Sequence, residues 1–326
     1  TGGALNLSGK LTMTATQTAT VTETHAKADA AGSGTAAVGA SLALAVIHDS
    51  VAASIGRSVT AAGDIDISAN GSAAAATLAE ASADGAKNKT DNASGGDGDV
   101  NKKGDDQLKL GDDRAASDNG GDTSKKSGKA KTTDASTGDK DGGSSKVQVA
   151  AAVAINMMTT SSLALFTGTP TVTSTGGKVR LRSSANTDAK QTKADGTEVG
   201  ASSVGIGAAV AINDVDITNR ASTGNATVSA ATGFGVEATM RNVSGNVTHE
   251  IDALAQSGAS GDTDVSIAGA LALNIVHNHT EATVGGGGTV TVNGGNITLK
   301  AVNTESDTAN ATSTAEGGDV GVGVSV

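Results

Sequence analysis

The fold is decided by four versions of one apolar segment: ASLALAVI (residues 40–47), AAAVAINM (150–157), GAAVAIND (207–214) and GALALNIV (269–276). Superposing them gives an aligned column that contains Ala45, Asn156, Asn213 and Asn274. The spacings from Asn156 to Asn213 and from Asn213 to Asn274 predict a repeat of about 58 residues. The spacing from Ala45 to Asn156 is longer, because it contains an insertion of about 55 residues. The sequence VGVGVSV (320–326) reads as the opening of a fifth copy. Self-similarity at a fixed period is typical of repeat architectures.

Two further elements keep the same period. A Gly-containing turn followed by alternating apolar and polar residues recurs five times: GGALNLSG (2–9), AGDIDISA (62–69), GGKVRLRS (176–183), GFGVEATM (233–240) and GGNITLKA (294–301). A tract of alternating Thr and Ala follows, longest at 11–24. Alternation with a period of two predicts half-buried strands. Three strand-bearing elements in each repeat give roughly 20 residues per element, close to one rung of a solenoid. The sequence therefore predicts an all-β parallel β-helix (β-solenoid) with about three rungs per repeat.

The composition favours a thin interior. The chain has 45 Gly, 2 Phe, no Trp, no Tyr and no Cys. Aromatic side chains fill wide cores, whereas Ala, Val, Ile and Leu suit an interior in which backbones lie close together. Low aromatic content is also typical of disorder, but here the Val, Ile and Leu are gathered into alternating runs. Order is the better interpretation for most of the chain.

The charge balance bears on partners. The formal net charge is −11, and a nucleic-acid-binding surface needs clustered Lys and Arg, so a nucleic-acid partner is not expected. No run of about 18 apolar residues is present, so no membrane-spanning segment is expected.

Residues 84–146 differ abruptly from the rest. They contain 13 Asp and 12 Lys plus Arg, and very few apolar side chains. Such a segment cannot bury a core, so we predict three parts: solenoid over 1–83, a charged Asp/Lys/Gly-rich insertion loop over 84–146, and solenoid continuing over 147–326.

Within the insertion, Asp97, Asp99, Asn101 and Asp105 resemble the first oxygen ligands of a calcium loop. Because no Glu closes the site and Gly104 is two places late for an EF-hand, a solvated run of charges is the competing interpretation. Apart from calcium, no cofactor is predicted.

Candidate catalytic groups are few. The histidines are His25, His48, His249, His277 and His279. His277 and His279 would share one face of a strand, but a stacked pair of His48 and His277 is not expected, because Thr159 and Asp216 intervene. Asp64, Asp66, Asp262 and Asp264 form two D-x-D motifs, a weak signal for cation binding or acid–base chemistry. Enzymes that act on polysaccharides use β-helices but also carry aromatic residues for sugar stacking. We therefore expect no enzyme.

The repeats also predict which residues face the interior. The aligned Asn156, Asn213 and Asn274 are expected either to form an inward amide ladder or to cap turns. Val153 and Ile212 are predicted to point inward, so that an Asp at either position would bury an unpaired charge. Alternate threonines from Thr12 to Thr24 predict a polar strand face. Such a face could bind ice only if neighbouring rungs repeated it, and the other copies are irregular.

The pattern VGxSxALNxV, followed by ASIG (53–56) or ATVG (282–285), GGxIxIxA and a Thr/Ala tail, resembles the repeats of giant bacterial exoproteins. These are the filamentous-haemagglutinin-like and leukotoxin-like filamentous adhesins. The resemblance covers nearly all of the chain outside 84–146. It implies a right-handed parallel β-helix, exported to a bacterial surface, with an adhesive, matrix or filament role and no catalytic residues.

Two hypotheses for the function follow. In the first, the repeats are a stalk or scaffold in an extracellular adhesin whose partners are host, cell-surface or matrix components. In the second, the repeats form the subunit of a filament or surface layer that pairs with itself end to end or laterally, because exposed strand edges favour pairing.

Overall fold

A computed structural model describes residues 3–32, 36–85, 147–199, 203–260, 264–317 and 319–326. This part of the chain contains strands and turns and no helix. The strands are β1 (Leu5–Leu7), β2 (Leu11–Gly32), β3 (Ala36–Ile55), β4 (Val59–Ala61), β5 (Ile65–Gly85), β6 (Val147–Phe166), β7 (Thr171–Ser174), β8 (Lys178–Val199), β9 (Val204–Ser222), β10 (Thr227–Ala230), β11 (Gly233–Met240), β12 (His249–Ser260), β13 (Val265–Thr283), β14 (Val290–Val292), β15 (Ile297–Ala301), β16 (Glu305–Glu316) and β17 (Val320–Ser325).

The strands form three sheets. A base sheet of short strands has the order β1-β4-β7-β10-β14. The first long sheet contains β2, β5 and β8, followed by β11 with β12 and then β15 with β16; the second long sheet has the order β3-β6-β9-β13-β17. All pairings between these strands are parallel, as in Leu5 with Val59 and Val147 with Val204. The predicted all-β parallel solenoid is confirmed.

One repeat makes one turn of the solenoid. The three strand-bearing elements of a repeat lie in three different sheets, and each pairs with its counterpart in the next repeat. The prediction of about three rungs per repeat is therefore wrong. Elements of roughly 20 residues match a common rung length, but here each is one side of a much larger rung. Rung 1 is β1–β3, rung 2 is β4–β6, rung 3 is β7–β9, rung 4 is β10–β13 and rung 5 is β14–β17.

The interior tapers away from the base sheet. Next to the base sheet the buried residues are large, among them Ile65, Val172, Leu181 and both Phe166 and Phe234. Farther along the two long sheets lies a cluster made entirely of alanines, including Ala43, Ala152 and Ala211. Because the side chains there are so short, the two long sheets must lie close together. Each rung is a wedge whose thin end is where the chain crosses between the long sheets.

Glycine marks the closest approach of the two long sheets. A Cβ atom on Gly207 of β9 would overlap the carbonyl oxygens of Gly258 and Gly196 in the facing sheet. Gly39 of β3 faces the carbonyl oxygen of Ser82 in the same way. A side chain of any size is excluded at these positions by the opposing backbone.

In the apolar segments of the second long sheet, the inward and outward positions are the reverse of those predicted for Val153 and Ile212. In β6, Ala152 and Ala154 are fully buried, whereas Val153 lies between them on the outer face. In β9, Ala211 is fully buried and Ile212 faces outward. The prediction that Val153 and Ile212 point inward is wrong, because the interior is too thin for them. Ala, not Val or Ile, is the inward residue in this half of the sheet.

A short excursion interrupts the first long sheet in rung 4. The chain leaves the ladder after Met240 and returns at His249, turning at Ser244 and Gly245, which both have positive φ. Arg241 reaches from this excursion across the outer face of the sheet. Its guanidinium donates to the carbonyl oxygens of Gln17 (2.6 Å) and Asn70 (3.0 Å), so one side chain joins rung 4 to rungs 1 and 2.

The charged insertion connects β5 with β6. Strand β5 extends to Gly85 and β6 begins at Val147. The insertion therefore leaves from the thin end of the wedge, where the first long sheet passes into the second.

Candidate interaction surface

The predicted calcium ligands Asp97, Asp99, Asn101 and Asp105 lie outside the described residues, so calcium binding stays a prediction. Within the described ranges, no group of three or more His, Cys, Asp or Glu side chains is arranged as metal ligands.

His277 and His279 each lie beside a carboxylate rather than in a cluster of histidines. His48, Thr159, Asp216 and His277 follow one another in a single column of the second long sheet, which confirms that His48 and His277 are not stacked. His277 lies 3.4 Å from Asp216, and His279 lies 3.2 Å from Glu281. The hydrogen bond from His279 lowers the pKa of Glu281.

The D-x-D motifs take part in structural contacts where they are described. Asp66 accepts from Arg180 at 3.1 Å and from Arg182 at 2.7 Å. Asp64 accepts the backbone N–H of Lys178 at 2.8 Å. The backbone carbonyl of Asp264 accepts the N–H of Val320, while Asp262 lies outside the described residues. Asp64 and Asp66 therefore hold rung 2 to rung 3.

The aligned asparagines point inward, as one of the two interpretations predicted, and Asn213 and Asn274 are joined by an amide hydrogen bond, whereas the buried amide of Asn156 has no hydrogen-bond partner within the described part of the chain. Asn156 and Asn213 are fully buried. Asn213 donates to the side-chain oxygen of Asn274 at 2.9 Å and to the backbone oxygen of Asp252 in the facing sheet at 3.0 Å. Asn274 donates to the backbone oxygen of Ile251 at 2.9 Å. The ladder of β12 on β8 shifts register between Ile251 and Ala253. The amides of Asn213 and Asn274 therefore bond to carbonyl groups at an irregularity in the facing sheet, which is a structural role.

His249 is the only histidine that the described residues bury completely. Its Nδ1 accepts the backbone N–H of Thr187 at 2.8 Å, which places the ring proton on Nε2. Burial lowers the pKa of His249 to about 4. In rung 5, burial together with the neighbouring Glu305 raises the pKa of Asp307 to about 7. His249 faces the interior of the wedge, away from any surface at which a substrate could approach.

The threonine face of β2 does not continue into the next rung. Thr12, Thr14 and Thr16 are exposed, but their partners on β5 are Asp66, Ser68 and Asn70. The two-dimensional threonine array that ice binding would need is therefore missing from rungs 1 and 2.

The outer face of the second long sheet is the most unusual surface of the described chain. In its half nearest the thin end of the wedge, large apolar side chains point outward on every strand. We call this surface the apolar patch. Its columns across the strands are Val147, Val204, Val265 and Val320; Val38, Val149, Ile206, Ile267 and Val322; Leu42, Val153, Val210 and Leu271; Leu44, Ile155, Ile212 and Leu273; and Val46, Met157 and Ile275.

Many of these side chains are widely exposed to solvent. The exposed fraction is 63% for Val38, 62% for Leu42 and 41% for Ile267. The patch ends toward the base sheet, where the columns change to His48, Thr159, Asp216 and His277, and then to Arg220 and Glu281. An apolar area with a polar rim is typical of an interaction surface.

The apolar patch was missed by the sequence prediction, although its residues are the repeat that identified the fold. The sequence pattern that could have predicted it is found in the alanines that alternate with these outward residues. The column of Ala43, Ala154, Ala211 and Ala272 is alanine in all four copies, which identifies it as a position limited by space. The larger neighbours of these alanines must then face outward.

No protein-family model, curated protein or solved structure matches the chain. The similarity to filamentous adhesin repeats therefore depends on the sequence patterns quoted above. Among the described residues, no helix is long and apolar enough to span a membrane.

Proposed function

We propose that the chain is a structural scaffold segment of a secreted or surface-attached bacterial adhesin or filament protein, and that it is not an enzyme. The observation that carries this proposal is the stacking of five rungs through three parallel sheets. Stability in such a stack comes from contacts between neighbouring repeats, so the architecture suits extended, repetitive proteins.

The size of the rung favours a scaffold with broad faces over a long thin stalk. Strand β3, with its 20 residues, spans about 66 Å, whereas each added rung extends the stack by only about 4.8 Å. Val147 pairs with Val204, so a whole repeat of roughly 58 residues is needed for one such step. A chain with this geometry gains side surface much faster than it gains length.

The polar side chains also support a structural role. Asp66 holds two arginines, Asn213 and Asn274 bond to backbone carbonyls, and His249 accepts a backbone N–H inside the wedge. A catalytic site requires convergent groups at a surface that a substrate can reach. The groups just named are instead engaged with the chain itself.

A self-assembling filament or surface-layer subunit is the second candidate. The apolar patch favours it, because a soluble scaffold with no partner for this face would expose an unusually large apolar area. Both candidates place the protein outside the cell, at the bacterial surface or in the surrounding matrix.

Electron microscopy of the purified chain, with calcium and again with a chelator, tests the scaffold. We expect flat particles about 66 Å wide and about 24 Å high, in keeping with five stacked rungs. Compact globules would contradict the proposal. A change of particle shape with calcium would support the predicted site at Asp97, Asp99, Asn101 and Asp105.

Antibody labelling of intact producing cells tests the location. Labelling of intact cells, without permeabilisation, is expected for a surface protein. Labelling that requires permeabilised cells would contradict the extracellular assignment.

A further inference from the structure

The apolar patch is large enough for a stable interface. It extends over ten residue steps along the strands, or about 33 Å, and over four to five strands, which gives roughly 700 Å². The largest apolar patch of an ordinary monomer covers about 300–600 Å². A standard protein–protein interface buries about 800 Å² on each partner. The patch therefore exceeds what a monomer normally exposes and approaches what a dimer buries.

The chain contains no apolar segment of its own that could cover the patch. The nearest long connection, residues 86–146, has Val100, Leu108 and Leu110 as its only apolar residues larger than Ala. These three side chains cannot match an area to which five strands contribute. The insertion therefore supplies no matching apolar surface, whereas a second copy of the patch does.

The chemistry of the rim favours protein over lipid. Asp214 lies at the edge of the patch, in one column with Met157 and Ile275, and Asp216 follows in the polar half, where Arg220 is paired with Glu281 at 3.1 Å. Surfaces that lie in membranes carry Lys and Arg around the apolar area and use Trp or Tyr at the lipid interface. This chain has neither Trp nor Tyr, and its net charge is −11.

The shape of the patch suits a second copy of itself. A column of small outward residues, Ala40, Ala151, Ala208 and Gly269, runs across β3, β6, β9 and β13 between ridges of larger side chains, and Val324 closes this groove on β17. On one side of this groove lies the column of Ile206 and Ile267, and on the other lies that of Val210 and Leu271. If two such faces meet about a two-fold axis, a ridge of each copy can occupy the groove of the other. A two-fold interface requires this kind of self-complementarity.

We propose that two copies of the chain associate laterally, with their second long sheets face to face through the apolar patch. The interface is an additional sheet-on-sheet layer, in which the Val, Ile and Leu side chains form a core that a single wedge is too thin to hold. The proposal deepens the proposed structural role and rests on it, because it makes the lateral surface of the scaffold its means of assembly.

Sedimentation of the full chain over a range of concentrations tests the pairing. We expect a reversible dimer in the wild type. The variant Val149→Asp/Ile212→Asp introduces one charge on each side of the groove, on strands β6 and β9. We expect its dimer dissociation constant to rise at least roughly tenfold, since each charge would lose its hydration at the interface.

The matched control is Ser50→Asp/Thr218→Asp, which adds the same two charges to the polar half of the same sheet. We expect the control to dimerise like the wild type. Far-UV circular dichroism and melting should show that all three proteins fold alike, because Asp214 already occupies this outer face. A bifunctional maleimide should link copies of Val210→Cys and leave copies of Thr218→Cys unlinked, and the wild type has no Cys to interfere.

Three results would overturn the proposal. The first is a wild-type chain that stays monomeric up to about 100 μM, where even a dimer of micromolar affinity would form. The second is association that Val149→Asp/Ile212→Asp leaves unchanged, which would indicate stacking of rung ends. The third is flotation of the wild type, but not of this variant, with vesicles of phosphatidylcholine and phosphatidylglycerol. Flat particles in the microscope that do not dimerise would contradict lateral pairing alone, whereas globular particles would contradict the scaffold itself.

Discussion

Gly207 shows at the scale of one residue how thin the wedge is. Replacement by Ala would place a Cβ against the carbonyl oxygens of Gly258 and Gly196. Since these are backbone atoms, the two long sheets would have to move apart. We expect Gly207→Ala to lower the free energy of unfolding by about 1–3 kcal/mol, the usual range for overpacking a tight core. Denaturant titration followed by circular dichroism measures the change.

Gly269 provides the matched control on the next strand. It faces outward, and a Cβ there would meet nothing within 4 Å. Gly269→Ala should leave the free energy of unfolding unchanged or raise it by up to about 1 kcal/mol, since Gly weakens a strand. Equal effects of the two replacements would contradict the close approach of the sheets at Gly207.

His249 makes stability depend on pH. Its pKa of about 4 in the folded chain lies below the ordinary 6.5, so between these values the unfolded chain binds a proton that the folded chain does not. The contribution of His249 to the free energy of unfolding therefore falls as the pH falls from 6.5 to 4, by about 3 kcal/mol over the whole window. Asp307, with its pKa raised from 3.8 to about 7, works in the opposite direction over the whole of this range, because the folded chain binds a proton there that the unfolded chain does not.

Comparison with His249→Gln isolates the histidine contribution. The difference in unfolding free energy between wild type and variant should change with pH between 6.5 and 4, in the sense that the wild type loses more. Denaturation at several pH values gives this difference. If it stays constant across the window, His249 is not buried in its neutral form.

At the scale of the element, neighbouring positions of β9 test which face of the strand is inside. Ala211→Asp would place a charge among the buried alanines and should lower the free energy of unfolding by at least about 3 kcal/mol, or prevent folding. Ile212→Asp changes an outward side chain and should cost less than about 1 kcal/mol. Melting temperatures of the two purified variants distinguish them. The reverse ranking would mean that the strand has the opposite phase.

The sequence predicts the strands of this molecule better than it predicts their faces. Alternation in GAAVAIND identifies β9 as a strand, because no helix has a period of two. The usual rule that the larger apolar residue points inward then fails at Ile212, since it assumes an interior wide enough for that residue. The inward position of Asn213 is one of the two interpretations that its conspicuous column in the aligned repeats allowed, the other being a turn cap.

At the scale of the whole molecule, the charged insertion tests whether the solenoid folds without it. Residues 86–146 can be replaced by Ala-Ser-Ser, the three residues found at 201–203 in the next rung. The replacement reduces a connection of roughly 60 residues to three, which is a little more than four halvings of its length. The entropic cost of closing this loop should therefore fall by about 2.5 kcal/mol. We expect an unchanged circular dichroism spectrum and a higher melting temperature.

The control restores the length but not the composition, with a Gly-Ser linker as long as the segment that it replaces. It should melt close to the wild type. A loss of folding in both variants would show that the charged segment itself stabilises the ladder between β5 and β6.

The size of the rung could not be predicted from the repeat length. A repeat of about 58 residues can make three small rungs or one large rung, and both arrangements have the same strands and the same alternation. The parallel partners decide between them: Val147 lies beside Val204, not beside another element of its own repeat. That information lies in contacts between distant residues, which alternation within a strand does not contain.

The large rung gives the stack an unusual response to force. When a load along the solenoid axis peels away one rung, the height of the stack falls by about 4.8 Å. The chain between Val147 and its ladder partner Val204, once released, extends to roughly 190 Å. The chain released from one rung is thus about forty times as long as the rung is high. An attachment built from such rungs would lengthen stepwise under flow, absorbing the pull one repeat at a time while the remaining rungs stay paired.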